Sequence, residues 1–397
     1  MPYIGGVRIH QRTVKPMTQP QIQIERAVDP KHPIRPELTQ EQACAIVAQH
    51  GLEALAEFQR RRNAAIRAEK SDPLNYGFQL PTWLLADVLL GFIGYDVFVK
   101  RIERMIPVYD FRPRVQVLLQ EWVRDAALKA AIDAGPYQLG LLLGGNSAGK
   151  TQYMMWRGTA DVVRFDESRV WIFHESDAMS ITYHQALVWD YLPETWQNAG
   201  MRGRPAYVSH KSATGFSKPP IGPNGSEIVF KNYQQDEDAA IEGGEVGDPL
   251  QRRCCGFLAD ELLPEPWLRT LEKRLNRRQA VGIVGFTPKH GYNDTCARFL
   301  TGARLIRAEM GMDLNEPKLI PLVRVSGDNR VVINFHTHYN PYPNRESYPN
   351  LVANMNMDSD TERAIRVYGH AEEDMVTLFG RLNVSQHMFK SRIFMAE

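Results

Sequence analysis

The sequence is too poor in cysteine to be held together by it. Its four thiols, Cys44, Cys254, Cys255 and Cys296, are scattered through 397 residues. No C-x-x-C spacing occurs, which excludes a disulfide framework and the usual zinc ribbons and fits a reducing compartment. Charge of one sign is also missing: 47 Lys+Arg stand against 46 Asp+Glu, a formal net charge of +1. A general basic field for nucleic acid is thereby excluded, so such a partner must meet local patches. There is no apolar run fit to cross a membrane. The greasiest stretch, TWLLADVLLGFIGYDVFV (82–99), is interrupted by Asp87 and Asp96 and reads as one buried helix. The N-terminus, MPYIGGVRIHQRTVKP, lacks the apolar core of a signal peptide. Internal repeats and low-complexity tracts are absent too. The remaining composition is that of a soluble globular protein, and a reducing cytoplasm is the expected setting.

Four regions follow from the patterning. Residues 1–37 carry Pro2, Pro16, Pro20, Pro30, Pro33 and Pro36 with little periodic apolar signal, and read as an extended arm. Residues 38–105 read as helical: Thr39 with Gln42 makes a capping box and Gly51 punctuates two helices. The triplet Arg60-Arg61-Arg62 reads as a solvated helix face. From 106 to 330, apolar runs recur at 138–143, 169–173, 227–230, 254–259 and 280–286 with helical stretches between several of them. Such alternation predicts an α/β fold, a mostly parallel sheet with helices on both faces. The turn in IGPNGSEIVF suggests that PAYVSH and EIVFKNY pair as a hairpin. Residues 331–397 read as a C-terminal extension of the same domain.

The strongest motif is GGNSAGKT, residues 144–151. Gly144, Gly149, Lys150 and Thr151 satisfy G-x-x-x-x-G-K-[ST] in full, with Gly145, Asn146, Ser147 and Ala148 between them. LGLLL before it reads as a buried strand and TQYMMWRGTADVV after it as a helix. That is the strand–loop–helix a phosphate cradle needs, because backbone N–H groups then converge at a helix N-terminus. Lys150 would reach the β- and γ-phosphates of ATP, and the Thr151 hydroxyl would ligate Mg²⁺. The fold class is therefore expected to be a P-loop NTPase. A second element, GFLADELLPEPW (256–267), ends an apolar strand in Asp260-Glu261. Asp260 is placed to hold Mg²⁺, and Glu261 to polarise an attacking water as general base. A third strand, QAVGIVGFTPKHG (279–291), ends in Thr287, whose hydroxyl could sense the γ-phosphate. The Cys254-Cys255 pair reads as core packing.

The order of these motifs resembles the large terminase subunit, the DNA-packaging ATPase of tailed bacteriophages, over roughly residues 106–390. FRPRVQVLLQEW (111–122) is similar to the family's aromatic-Pro-x-x-x-Gln element, which implies that Gln116 reads the adenine edge. VWIFHESDAMSITYHQALVWDYLPETW (170–196) and EIVFKNYQQDEDAAIEGGEVGD (227–248) resemble the segments before the acidic strand. LADELLPEPWLRTLEKRL, GFTPKHG, HTHYNPYPN and RAIRVYGHAEEDMVTLF follow in the family's order. The resemblance implies ATP with Mg²⁺ as cofactor. It also implies double-stranded DNA, a portal protein, a small terminase subunit and a homo-oligomeric ring on the portal as partners.

Two departures matter. The loop GGNSAGKT contains no arginine, so Arg274 becomes the candidate γ-phosphate finger, in cis or for a neighbouring subunit, with an exposed helical arginine as the plain alternative. The family's nuclease would begin near NVSQHMFKSRIFMAE, where this sequence stops, so nuclease activity is not expected of it. Asp358, Asp360, Glu372, Glu373 and Asp374 read as a solvated acidic stretch. Arg202, Arg204, Lys211 and Lys218, in a segment without acids, could grip DNA phosphates; a solvated hairpin is the equal alternative. His336 and His338, two apart on an apparent strand, share a face and could ligate a metal, but without a third ligand in view they read as structural. Two other functions stay open: another DNA-stimulated ATPase of helicase or repair type, and a nucleotide-gated assembly factor that binds without hydrolysing.

Overall fold

The computed structural model describes residues 40–57, 79–110, 112–145, 147–193, 196, 208–209, 214–216, 220–233, 241, 244–261, 263–288, 294–312, 319–340 and 360–370. The N-terminal arm, the Thr39–Gln42 cap, Arg60–Arg62, Asn146, Arg202, Arg204, Lys211, Lys218, Asp358 and the acids 372–374 lie outside the described residues or side chains.

One eight-stranded sheet organises the chain. The strands are β1 (Leu139–Gly144), β2 (Arg169–His174), β5 (Glu227–Asn232), β6 (Cys255–Asp260), β7 (Val281–Phe286), β8 (Arg304–Met310), β9 (Leu319–Ser326) and β10 (Arg330–Phe335). Their order is β5-β2-β6-β7-β1-β10-β9-β8. Pairings from β5 through β10 are parallel, whereas β9 runs antiparallel to both β10 and β8. The sheet is thus mostly parallel, as the patterning predicts. β10 pairs with β1 along its whole length and with β9 on its other side, so Arg330–Phe335 is an interior strand of this sheet.

The hairpin expected between PAYVSH and EIVFKNY does not form. Short strands β3 (Val208–Ser209) and β4 (Thr214–Gly215) pair with each other instead, and β5 joins β2 in parallel. The turn signal is real but closes locally: Gly222 N–H bonds Ser226 O, which aims β5 at the sheet edge, where Glu227 meets Arg169 at 2.8 Å.

Alternation along the strands builds one core on each face. Leu142, Val170, Ile172, Leu258, Ile283 and Ile333 look to one side; Leu141, Leu143, Trp171, Phe173, Phe257, Val284 and Val332 look to the other. Both faces are covered, which is why the parallel strands read as continuous apolar runs. The second face is covered by α8 (Glu265–Arg278) through Trp267, Leu268, Leu271 and Leu275. The first is covered by α6 (Lys150–Arg164) together with helices from the N-terminal region.

Those N-terminal helices correct the expectation of one helix over 82–99. There are two, α2 (Pro81–Leu89) and α3 (Tyr95–Met105), following α1 (Gln40–His50). Phe92 N–H bonds back to Asp87 O and closes α2, and the chain turns before Tyr95. Trp83 of α2 stacks on Trp156 of α6 at 5.6 Å, so this region is continuous with the main core. α4 (Pro113–Arg124) and α5 (Ala126–Ala134) complete it before β1. Among the described residues no helix is long and apolar enough to cross a membrane.

Asp87 is buried in this core, and its partner could not be inferred from spacing. Arg157 of α6, also buried, lies 3.6 Å from Asp87 and bonds Asp161 at 2.5 Å, while the Tyr153 hydroxyl donates to Asp87 at 2.9 Å. Burial pushes the Asp87 carboxyl up to about 6, against the lowering effect of Arg157. Arg157→Met would leave two buried carboxylates without their cation and is expected to cost about 3–5 kcal/mol. Without the cation the Asp87 folded-state pKa rises further above its unfolded value, so the native state binds the extra proton and the fold weakens as pH rises. Melting curves at pH 5 and pH 7 check this: the deficit should be larger at pH 7. An equal, small loss at both would show that the charges are compensated elsewhere.

Candidate functional site

β1, β6 and β7 are parallel and end on the same edge of the sheet, so Gly144, Asp260 and Thr287 arrive together. This is the carboxyl-end crevice where ligands of open α/β sheets bind. β7 lies between β1 and β6, which sets Thr287 between the glycine-rich loop and the acidic pair.

The loop turns into α6 through Gly149, at φ 83 in the left-handed region that favours glycine. A Cβ there would also stand 2.6 Å from Leu80 Cδ1. The Gly149 carbonyl accepts the Trp83 indole N–H at 3.1 Å, so α2 holds the loop from outside. Ser147, at φ 59, is a second left-handed residue in this turn. α6 is 15 residues long and begins at Lys150, so its N-terminal N–H groups and positive dipole end face the loop.

The Lys150 ammonium is buried and donates to Gly144 O at 2.8 Å, Gly145 O at 3.1 Å and Thr287 Oγ1 at 3.1 Å. It is thus a cation held over the concavity by weakly basic oxygens that a phosphate could outcompete. Thr151, next along, donates from Oγ1 to Asp260 Oδ2 at 2.9 Å. A hydroxyl and a carboxylate that meet at a phosphate-sized loop form the ligand pair a hard cation needs, so the residues present fit Mg²⁺ beside a triphosphate.

Asp260 is held from three directions. Besides Thr151, His184 Nε2 lies 2.7 Å from Oδ2, and the Tyr233 hydroxyl donates to the Asp260 carbonyl at 3.2 Å. Since a carboxylate only accepts, His184 carries its proton on Nε2. Burial keeps the Tyr233 hydroxyl well above its ordinary range, with Asp260 and Glu261 adding to the effect, so it remains a donor. His174, tilted against His184 at 5.8 Å, is pushed down by burial and then by His184, which favours its neutral form.

His184 was not legible in the sequence. It sits in a π-helical turn, Ser180–His184, between Asp177–Met179 and α7 (Gln185–Tyr191). The extra residue in that turn shifts the helical register and points the imidazole at β6. π-turns of this kind recur at functional sites.

Glu261 follows Asp260 at φ 65, outside the conformations a non-glycine residue normally adopts. Its N–H bonds Gly285 O at 2.8 Å, which fixes the strained turn onto β7. The side chain is half-buried. A carboxylate presented next to Asp260 at the strand end can accept a proton from a water.

The loop is braced from behind. Gly145 N–H bonds Phe335 O at the end of β10, and a Cβ on Gly145 would lie 2.2 Å from the Arg366 carbonyl of α10 (Asp360–Tyr368). Asn340 Nδ2 donates to Ser147 O at 2.6 Å. Arg112 donates to His338 O and Asn340 O, both at 2.7 Å, tying the start of α4 to the same segment.

Two expected residues bond partners outside this cluster. Gln116, one turn along α4 from Arg112, is half-buried and donates to Ile106 O at 2.9 Å. Arg274 is not brought to the cradle by its own chain. It sits near the end of α8, which runs back against the strands and feeds the start of β7, so it belongs to the opposite edge of the sheet. Its guanidinium bonds Gly244 O at 2.5 Å and covers the Trp171 ring at 5.7 Å. In this arrangement Arg274 faces Gly244 and Trp171, and the helical pattern does not reveal which end of the helix faces the loop.

No family model matches the chain, and no curated protein matches it. Among solved structures it is similar to the ATPase domain of the large terminase of a Thermus phage. The identity is 14% and the TM-score 0.38, covering 62% of this chain and 92% of that one. A mutant form of that domain aligns at 16% identity and TM-score 0.37, covering 60% and 91%.

Proposed function

We propose that this chain is a P-loop ATPase of the terminase large-subunit type, a motor that hydrolyses ATP with Mg²⁺ to drive double-stranded DNA into a procapsid. The observation that carries the ATPase reading is the 2.9 Å contact between Thr151 Oγ1 and Asp260 Oδ2, which joins two motifs 109 residues apart. The motor reading is supported by the order of sequence motifs that resembles the terminase family. The cation, when bound, neutralises charge on the triphosphate. Lys150 binds the β/γ-phosphates, the loop N–H groups orient them, and Glu261 takes the proton of the attacking water. Thr287, already within reach of Lys150, reports the state of that phosphate to β7. Gln116 is assigned to the adenine edge. Arg202, Arg204, Lys211 and Lys218 are assigned to DNA phosphates. A portal ring, a small subunit and further copies of the chain complete the assembly in a host cytoplasm.

Glu261 favours hydrolysis over the nucleotide-gated assembly factor, because a protein that only binds has no need of a strained carboxylate at that position. The experiment that separates a motor from other DNA-stimulated ATPases is ATP consumed per binding event against duplex length, with portal present. A translocating motor consumes more on longer duplexes and displaces no strand. Length-independent consumption, or strand separation, would reject the motor.

His184 supplies a further expected result. His184→Ala removes one of the donors that aim Asp260, and such outer-shell losses typically cost about 10–100-fold in metal affinity or activity. The Mg²⁺ concentration for half-maximal turnover should rise accordingly, with little change in the binding of metal-free nucleotide. An unchanged Mg²⁺ dependence would make the His184–Asp260 bond a packing contact.

A further inference from the structure

On the side of β1 away from Thr287, β10 ends at Phe335 and the chain enters a short 3-10 turn, Thr337–Tyr339. His336 precedes that turn and His338 lies within it, so the two are not on a strand as their spacing suggests. The third ligand missing from the sequence is Glu309, from β8, two strands away. All three side chains are buried, and their candidate ligand atoms lie within 4.8 Å of one another.

Their hydrogen bonding is incomplete in a specific way. His336 Nε2 lies 3.0 Å from Pro321 O, an acceptor, so it carries a proton there. Nδ1 then faces Glu309 Oε2 at 3.4 Å without forming a hydrogen bond. Two lone pairs facing each other in a core require positive charge between them, either a second proton or a metal ion. Both nitrogens of His338 are buried with no hydrogen-bond partner. Glu309 is held rigidly by Trp122 Nε1 at 2.6 Å and the Tyr339 hydroxyl at 2.7 Å. Arg307, 3.3 Å from Glu309, is already paired with Asp125 at 2.7 Å and Glu121 at 2.9 Å. Its Nε also donates to Glu309 Oε1, so Oε2, the oxygen that faces His336, is the one with a lone pair left for another cation. A ligand histidine that gives its other N–H to a carbonyl, and a carboxylate oriented by outer donors, are the usual supports of a metal site.

We propose that Glu309, His336 and His338 bind one divalent transition-metal ion of the zinc class, behind the phosphate cradle and independent of the nucleotide. Two imidazoles and a carboxylate suit zinc, whereas Mg²⁺ and Ca²⁺ prefer oxygen throughout. Zinc–ligand distances of about 2.0–2.1 Å place tetrahedral ligands about 3.3 Å apart, within reach of small imidazole rotations from the present separations. The ion ties β8 to the turn whose neighbour Asn340 holds Ser147 of the loop. It is structural, and its effect on the cradle is indirect.

The test uses the full chain, stripped with a chelator and exchanged into chelator-free buffer without nucleotide. On adding zinc we expect about one ion per chain to survive gel filtration and the melting temperature to rise by roughly 5 °C at saturation. His338→Leu should lose both responses while keeping, or slightly raising, the metal-free melting temperature, because it removes two unpaired buried nitrogens. Should that variant fail to fold, Co²⁺ on the wild type decides. Visible d–d bands of a four- or five-coordinate ion, without the thiolate charge-transfer band the cysteines would give, support the site. No stoichiometric zinc in the wild type, binding that persists in His338→Leu, or a cobalt spectrum with thiolate bands would overturn it.

Discussion

Lys150→Ala is expected to lower ATP turnover by about 10²–10³-fold or more, the scale on which a preorganised charge at the reacting group acts. Lys150 is the cation that the loop carbonyls and Thr287 hold over the cradle, at 2.8–3.1 Å. On the proposed reading its loss removes the charge that meets the β/γ-phosphates while leaving the strand, the turn and α6 in place. Two carbonyls lose a donor, so stability should fall by no more than about 1–3 kcal/mol. Turnover and melting temperature, measured on the same preparation, separate the two effects. Near wild-type turnover at an unchanged melting temperature would remove the cradle from the mechanism.

Glu261→Gln should lower turnover to a comparable degree, about 10²–10⁴-fold, by a different route. The amide keeps the size and the strained backbone at φ 65 but accepts no proton. ATP should therefore bind with nearly wild-type affinity and persist. Lys150→Ala, in contrast, should weaken binding as well. Single-turnover kinetics with labelled ATP distinguishes them: bound, uncleaved nucleotide marks Glu261→Gln. Loss of binding together with turnover would make Glu261 a structural residue, and the base would have to be sought elsewhere.

The centre of the site was legible because its residues are close in sequence or end apolar runs. GGNSAGKT encodes its own turn, and Asp260 and Thr287 each close a fully buried strand that composition alone marks. β8 and β9 are not legible because RLIRAEM interleaves charge and LIPLVRVS carries a proline, the features of strands near a sheet edge. What lay furthest from view were contacts between distant segments. Nothing in the spacing pairs Asp87 with Arg157, brings His184 to Asp260, or adds Glu309 to two histidines. Arg274 is the opposite case. Its helix is legible in the sequence, but the direction in which α8 returns along the sheet is not.

The central claim is that Lys150, Thr151, Asp260 and Glu261 form one hydrolytic centre that serves DNA. It is tested most directly by steady-state ATP turnover of the purified chain against Mg²⁺ concentration, with and without duplex DNA. The account predicts Mg²⁺-dependent phosphate release that rises when duplex is added and disappears in Glu261→Gln. Tight nucleotide binding with no phosphate release under either condition would contradict it.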